Sequence, residues 1–334
     1  LCIIIEGGDS LIISEYNYNR ASNKDKLEAF LKLSDLTFDG NIDYCVVALE
    51  NNEIVGCACK DKNVFKMVAV SCKIQNEDMV SKLITKLIEK CVEENIFHYF
   101  IFTKMIYQVH FESLGFKLLS SYQEIGLFEK GNISFDQYYD GIVLDKDLLT
   151  GAIVMNCNPF TLGHRYLIEQ ALDKVQQLII FVVEEDQSFF SFEDRINLVK
   201  EGTADLKNVI VIPSGPYIIS QATFPTYFLK EINQKNTYYT HIDVQLFKRI
   251  MDKLNITYRF VGSEPLDQVT NLYNETMKEV LGDRLIVIER KTSSEDVISA
   301  SRVRKYLESK DYDGIKDLVP DTTYQYLKKN YFNR

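Results

Sequence analysis

The sequence predicts an α/β protein in two parts, a parallel sheet with helices on both faces preceded by a smaller α+β domain. Three observations carry this. Beyond residue 148, short apolar runs alternate with helical stretches; before residue 131, strands joined by tight turns accompany one amphipathic helix; and residues 131–148, rich in Asp, Tyr and Gly, read as the crossover between them. The expected domains are thus residues 1–130 and 149–334. A chain of 334 residues, 46% hydrophobic and 26% charged, is long enough for each to bury a core.

In the first part, Asp43–Glu50 and Glu53–Lys60 flank Asn51-Asn52, a hairpin signal, and Phe65–Val70 reads as the next strand. Met79, Val80, Leu83, Ile84, Leu87, Ile88, Cys91 and Val92 then form one apolar helical stripe. His98–Thr103 is a strand, Tyr107–Leu114 a short helix stopped by Gly115, and Phe116–Leu119 the expected last strand. His98 and His110 read as structural. In the second part, Gly151–Met155, Leu178–Val183, Val209–Ile212, Thr257–Val261 and Leu285–Ile288 are short apolar strands separated by helices, the pattern of a buried parallel sheet. Asp311–Arg334 reads as one or two terminal helices anchored by Tyr324, Tyr326 and Tyr331, without chemistry.

Composition excludes several classes. A formal net charge of -10 argues against a broad nucleic-acid surface, though not against one local basic pocket. No apolar run approaches the roughly 18 residues of a membrane span, and Leu1–Ser10 has no charged n-region or cleavage site, so the chain reads as cytoplasmic. The seven cysteines are scattered. Only Cys57 and Cys59 are closely spaced, on one face of a strand, and the expectation is buried reduced thiols rather than a disulfide or metal framework. Cys157 sits in a turn that bears on function but is expected to pack.

That turn follows the strand Gly151–Met155 and runs through Asn158-Pro159-Phe160 into Thr161-Leu162-Gly163-His164, where a helix opens. A helix N-terminus carries unpaired N–H groups and partial positive charge, so this is the layout of a phosphate-binding strand-turn-helix. Gly163 permits close backbone approach, and an imidazole in the first turn is a donor that can stabilise charge as it develops on phosphorus. The same residues also fit an ordinary loop whose His caps a turn. Far downstream, Ile298-Ser299-Ala300-Ser301-Arg302-Val303-Arg304 again precedes a helix, with hydroxyls at its start and a forked cation one turn in. Alone, it fits a Ser N-cap with a basic solvent face better than a phosphate site.

Together the two segments resemble the nucleotidyltransferase superfamily that carries H-x-G-H or T-x-G-H near its start and I-S-S-T-x-x-R near its end. Thr161 stands at the first position, Gly163 and His164 match, and Ile298, Ser299, Ser301 and Arg304 match the second motif, with Ala300 where Ser is usual. Over most of the chain the closer resemblance is to the citrate lyase ligase family, carried by Gly151–Asp173, Val183–Arg195, Arg259–Asp267, Thr270–Lys278 and Val297–Leu307. The first part resembles the acetyl-CoA-dependent N-acetyltransferase fold. Its expected phosphate turn, Gln75–Met79, has no glycine and two acids, so a scaffold or docking role is expected rather than acetyl transfer.

The resemblance implies a Rossmann-like nucleotidyltransferase domain and a two-step ligation: acetate attacks ATP to give acetyl-adenylate and pyrophosphate, then the thiol of a CoA-like prosthetic group on the citrate lyase acyl-carrier subunit takes the acetyl group. It implies catalysis by His164, Thr161 and Arg304, with Thr161 donating to phosphate oxygens, and nucleotide binding by Asn158, Pro159, Phe160, Gly163, Arg165, Gly262, Ser299 and Ser301. Asn158 is expected to set the turn, and Arg165 to face phosphate or solvent. Mg²⁺ is expected on the triphosphate, since no carboxylate cluster resembles a protein cage. Ser188, Phe190 and Arg195 are expected near the nucleotide or acyl pocket. His241 and Asp243, at the start of a helix Asp243–Leu254, are candidates for activating the acceptor thiol, or a surface His with a capping Asp. The alternatives are adenylyl transfer onto a phosphorylated small molecule, acetate ligation onto RNA, and a non-catalytic acetyl-CoA-sensing or assembly module.

Overall fold

The computed structural model describes residues 11–72, 78–184, 188–218, 232–263, 268–289, 292–293 and 296–332. They form two compact units, one reaching Tyr138 and including the long helix up to Ile242, the other running from Tyr139 and, after the return, from Asp243 onward.

The first unit contains β1 (Ile12–Glu15), α1 (Ala21–Leu33), β2 (Tyr44–Glu50), β3 (Glu53–Asp61), β4 (Val64–Val70), α2 (Asp78–Glu93), β5 (His98–Lys104), α3 (Gln108–Ser113), β6 (Lys117–Tyr122), β7 (Ile125–Gly131) and the start of α4 (Phe135–Asp140). Its sheet has the order β1-β2-β3-β4-β5-β7-β6. Asn51 and Asn52 both have positive φ, 49° and 65°, as a tight β2–β3 hairpin requires. The apolar stripe of α2 is buried on the sheet at Met79, Leu83, Ile84, Leu87 and Cys91. Cys57 and Cys59 are buried free thiols, as expected.

Two differences from expectation have physical causes. β6 is not the last strand: β7 follows and inserts between β5 and β6. Its short apolar run is cut by Glu129, a buried carboxylate that faces His98 at 2.9 Å and accepts the N–H of Phe135 at 3.0 Å. The crossover also holds the short helix α4. The Gln75–Met79 segment, expected at the position of a phosphate turn, lies, but for its last two residues, outside the described residues, as does the whole of Leu1–Ser10.

The second unit adds β8 (Thr150–Met155), α5 (Leu162–Leu172), β9 (Gln177–Val182), α6 (Phe192–Gly202), β10 (Val209–Pro213), α7 (Ile232–Lys253, from Asp243), β11 (Tyr258–Gly262), α8 (Gln268–Leu281), β12 (Leu285–Ile288), the short pair β13 (Thr292–Ser293) and β14 (Asp296–Val297), α9 (Ala300–Ser309) and α10 (Asp321–Asn330). The large sheet is parallel throughout, in the order β10-β9-β8-β11-β12. β9 is buried at every position, which explains its unbroken apolar run. The chain winds outward from β8 first to β9 and β10, then returns to build β11 and β12. The strand order therefore reverses between β8 and β11, and loops leaving the carboxyl ends of these two strands diverge to open a crevice.

The terminal segment is more than an anchor. Tyr324, Tyr326 and Tyr331 pack as expected, but with Phe190, Ile298, Val303, Leu307, Leu318 and Leu327 they complete a second core that carries α9. Among the described residues no helix is long and apolar enough to cross a membrane.

Candidate active site

A cavity of about 520 Å³ lies at the switch point, lined by residues following β8 (Asn156), opening α5 (Thr161, Gly163, His164), ending β11 and β12 (Gly262, Glu289) and opening α9 (Ser299, Ala300, Ser301). Both motifs supply a helix N-cap here. Thr161 (φ -123°, ψ 167°) accepts the N–H of His164 at 3.3 Å, and Ser299 (φ -133°, ψ 147°) accepts the N–H of Arg302 at 3.3 Å. Each cap contributes about 1 kcal/mol to its helix. The helix starts approach closely: a Cβ on Gly163 would stand 3.1 Å from the Ile298 carbonyl oxygen. Gly163 therefore admits the other motif's backbone as well as lining the cavity.

Arg304 locks the same junction. It donates from Nη1 to the carbonyl of Asn158, 146 residues away, at 2.5 Å and from Nη2 to Ser301 Oγ at 3.2 Å. The two segments are thus joined by a charge-assisted bond from a guanidinium to a loop carbonyl.

His164 completes a capping box. The backbone N–H of Thr161 donates to His164 Nδ1 at 3.0 Å, and Thr161 Oγ1 lies 3.0 Å from the same nitrogen. A backbone N–H can only donate, so Nδ1 is the bare, accepting nitrogen and the imidazole proton sits on Nε2. The ring also lies nearly parallel to Phe160, with centroids 5.9 Å apart. His164 is consequently a neutral donor of fixed orientation at the cavity wall.

Helix donors are fewer than a bare N-terminus would offer. The N–H of Leu162 goes to Leu318 O at 2.9 Å and that of His164 to Thr161 Oγ1. What the two helices offer to a ligand is the N–H groups of Gly163, Ala300 and Ser301, with the exposed Ser301 hydroxyl beside them.

Of the predicted residues, Thr161, Gly163, His164, Gly262, Ser299 and Ser301 meet at the cavity. Thr161 is 1% exposed and its hydroxyl engages His164, so it positions the imidazole instead of donating to phosphate as expected. Pro159 and Phe160 are buried and do not line the cavity: Phe160 fills the core under Gly202, where a Cβ would come within 2.5 Å of its ring. Burial in the core removes their apolar surface from water. Asn158 does set the turn, accepting from Phe190 N at 3.0 Å and from Arg304. Arg165 does not line the cavity but joins an ion-pair cluster at the protein surface. It forms a fork with Asp205 (2.7 and 2.6 Å), pairs with Glu169 and donates to Gly202 O. The Arg165 guanidinium holds the Asp205 carboxyl below its usual range.

Cys157 is buried in the core with its thiol pushed well up by desolvation, which fits the packing role. His241 and Asp243 lie inside α7 rather than at a helix start, and both are buried. His241 stacks on Tyr122 with centroids 3.8 Å apart and bonds Thr237 O, while Asp243 accepts from the Tyr273 hydroxyl, so neither is a surface base. Of the residues named near the pocket, Phe190 joins the terminal core, and Ser188 and Arg195 both bond Asn156. Asn156 was legible only as the start of the Asn156–His164 segment at the carboxyl end of the first strand of a doubly wound sheet, where ligand-binding residues concentrate; no motif marks it individually.

A doubly wound sheet with two capped helix starts at its switch point has the build of a phosphate-handling α/β enzyme. Residues 150–327 match the family model described as "Citrate lyase ligase C-terminal domain". Relatives include the citrate (pro-3S)-lyase ligases of Escherichia coli (strain K12), 38% identical with 92% of each chain covered, and of Haemophilus influenzae, 38% identical with 93% of this chain and 98% of that one covered. The protein of that name from Klebsiella pneumoniae is 35% identical, covering 91% of this chain and 92% of its own. Among solved structures, Escherichia coli ElaA is 16% identical with a TM-score of 0.32, covering 36% of this chain and 99% of that chain. The chain belongs to the citrate lyase ligase family, and it is an enzyme, a ligase.

Proposed function

We propose that the cavity is where ATP is held while acetate attacks its α-phosphorus, and that the resulting acetyl group passes to the thiol of a CoA-like prosthetic group on the citrate lyase acyl-carrier subunit. The observation that carries this reading is the convergence of the Thr161 and Ser299 caps on one cavity at the switch point, in a chain of this family.

In the first step a carboxylate oxygen of acetate forms the new P–O bond and pyrophosphate leaves with the electron pair of the broken one. No proton moves, because acetate is ionised at neutral pH and the leaving group is an anion. The site need supply only position and charge stabilisation. Gly163, Ala300 and Ser301 offer N–H donors to the phosphates, His164 its Nε2–H, and Arg304 a nearby cation. In the second step the acceptor sulfur attacks the acetyl carbonyl carbon, AMP leaves with the electron pair of the broken acyl C–O bond of the mixed anhydride, and the thiol proton passes to solvent.

Mg²⁺ would neutralise charge on the triphosphate. The lining suits a metal carried by the nucleotide: it is rich in N–H and O–H donors, with Glu289 the one carboxylate among its described residues. Among the described residues there is also no cluster of three or more potential metal ligands. In this reading the enzyme works in the cytoplasm, without nucleic acid or membrane.

Exchange of labelled pyrophosphate into ATP tests the proposal. The expected result is exchange that requires acetate. Exchange independent of acetate would refute it and favour adenylyl transfer onto another acceptor.

A further inference from the structure

Asn156 directly follows β8 at the switch point and lines the cavity. Behind it stands Arg195, a fully buried cation. Arg195 Nη1 donates to Asn156 Oδ1 at 2.5 Å, to the Asn156 carbonyl at 2.8 Å and to Val183 O at 2.8 Å, while Nε reaches Phe190 O at 3.2 Å. A guanidinium has no acceptor, so the amide atom touching it must be the oxygen. This fixes the Asn156 side chain: Nδ2 points away from Arg195 with one N–H donated to Ser188 Oγ at 3.2 Å, and the Ser188 hydroxyl, which must turn to meet a ligand, lies 3.4 Å from Asn156 Oδ1.

We infer that Asn156, oriented by Arg195, is a substrate-binding residue whose Nδ2 amide, together with the Ser188 hydroxyl, seats the carboxylate of the short acid. The inference rests on the adenylating reading above and assigns the acid's place within it. Topology separates the two ligands. Gly262, Glu289, Ser299 and Ser301 gather on the β11–β12 side of the cavity, whereas Asn156 lines it just after β8, with Ser188, which follows β9, bonded to its side chain. An acid held there can approach the α-phosphorus apart from the Ser299 and Ser301 donors that open α9.

The donor chemistry fits a nucleophile. Neutral N–H and O–H groups hold one carboxylate oxygen while leaving the lone pair of the other reactive. A directly paired cation would hold that oxygen more tightly in the ground state. The buried guanidinium behind the amide still supplies a favourable field for the anion, weakly screened because water is excluded. Val154, Met155 and Leu167 offer apolar wall to the hydrocarbon end.

Asn156→Asp tests this with little risk to the fold, since the carboxylate keeps an acceptor for Arg195 while both amide N–H donors are lost and a negative charge is added. The readout is acetate-dependent pyrophosphate–ATP exchange, with KM measured separately for acetate and ATP. The acetate KM is expected to rise about tenfold or more, with the ATP KM unchanged. An unchanged acetate KM, or an ATP KM that rises in step with it, overturns the assignment while leaving the adenylating reading intact. Wild-type exchange that ignores acetate overturns both. Should Asn156→Asp fail to melt cooperatively, Ser188→Ala decides on the same readout: a several-fold rise in acetate KM alone supports the seat, and no change overturns it.

Discussion

His164 performs two tasks that a pair of variants can separate. Its Nδ1 accepts the Thr161 N–H at 3.0 Å as half of a capping box, and its Nε2 carries the donor proposed to act on phosphate. His164→Ala removes both. Loss of one hydrogen bond at a helix start costs about 1 kcal/mol, which in a domain of this size lowers Tm by roughly 2–4 °C. Loss of a fixed donor to charge developing in the transition state costs far more in rate, on the order of 10² in kcat, with tenfold (about 1.4 kcal/mol) as the floor. His164→Gln restores the cap, because glutamine at this helix position accepts the same N–H, and retains a neutral donor at a different reach. The expected pattern is a lowered Tm and an adenylation rate down about a hundredfold for His164→Ala. For His164→Gln, Tm should be near the parent's and the rate intermediate. Differential scanning calorimetry and acetate-dependent pyrophosphate exchange measure the two sides. An exchange rate for His164→Ala within threefold of the parent's would remove the imidazole from the mechanism, whatever happened to Tm.

The ion pairs yield two further expectations. Arg165→Met should leave the KM for ATP unchanged in the exchange assay, because Arg165 is engaged by Asp205, Glu169 and Gly202; a large rise would return it to the phosphate site. In the first unit, the buried Lys60 donates to Glu94 at 2.6 Å and to Asp43 at 3.0 Å, and the bond from Lys60 holds the Glu94 carboxyl below its usual value. A depressed carboxylate adds stability that is present above the ordinary glutamate pKa and lost as pH falls through the folded-state value. Glu94→Gln should therefore melt lower than the parent at neutral pH, with the gap closing in acid; a gap constant across that range would refute the linkage.

Much of the second unit was legible because local and global signals agree there. A parallel strand buried on both faces must be a continuous apolar run, so Leu178–Val183 and its neighbours could be read without knowing their partners. Thr161 and Ser299 were legible for a similar reason, since an N-cap is specified by its own residue type and the helix after it. The first unit was less open to such reading: β7 hides a buried Glu129 whose partner, His98, lies 31 residues earlier. A charge in a strand looks like solvent exposure until its counterpart is found.

By itself the sequence determined the α/β class, the five parallel strands, the two helix starts and the resemblance to citrate lyase ligases. Those depend on residue type and short spacing alone. Only the tertiary structure decided what each motif residue touches: that Thr161 faces His164, that Phe160 belongs to the core, that Arg165 turns to Asp205, and that Asn156 is gripped by Arg195. The physical reason is that a side chain's role depends on its nearest competing partner. In a doubly wound sheet those partners arrive from loops far apart in the chain, as Arg304 reaches Asn158 across 146 residues.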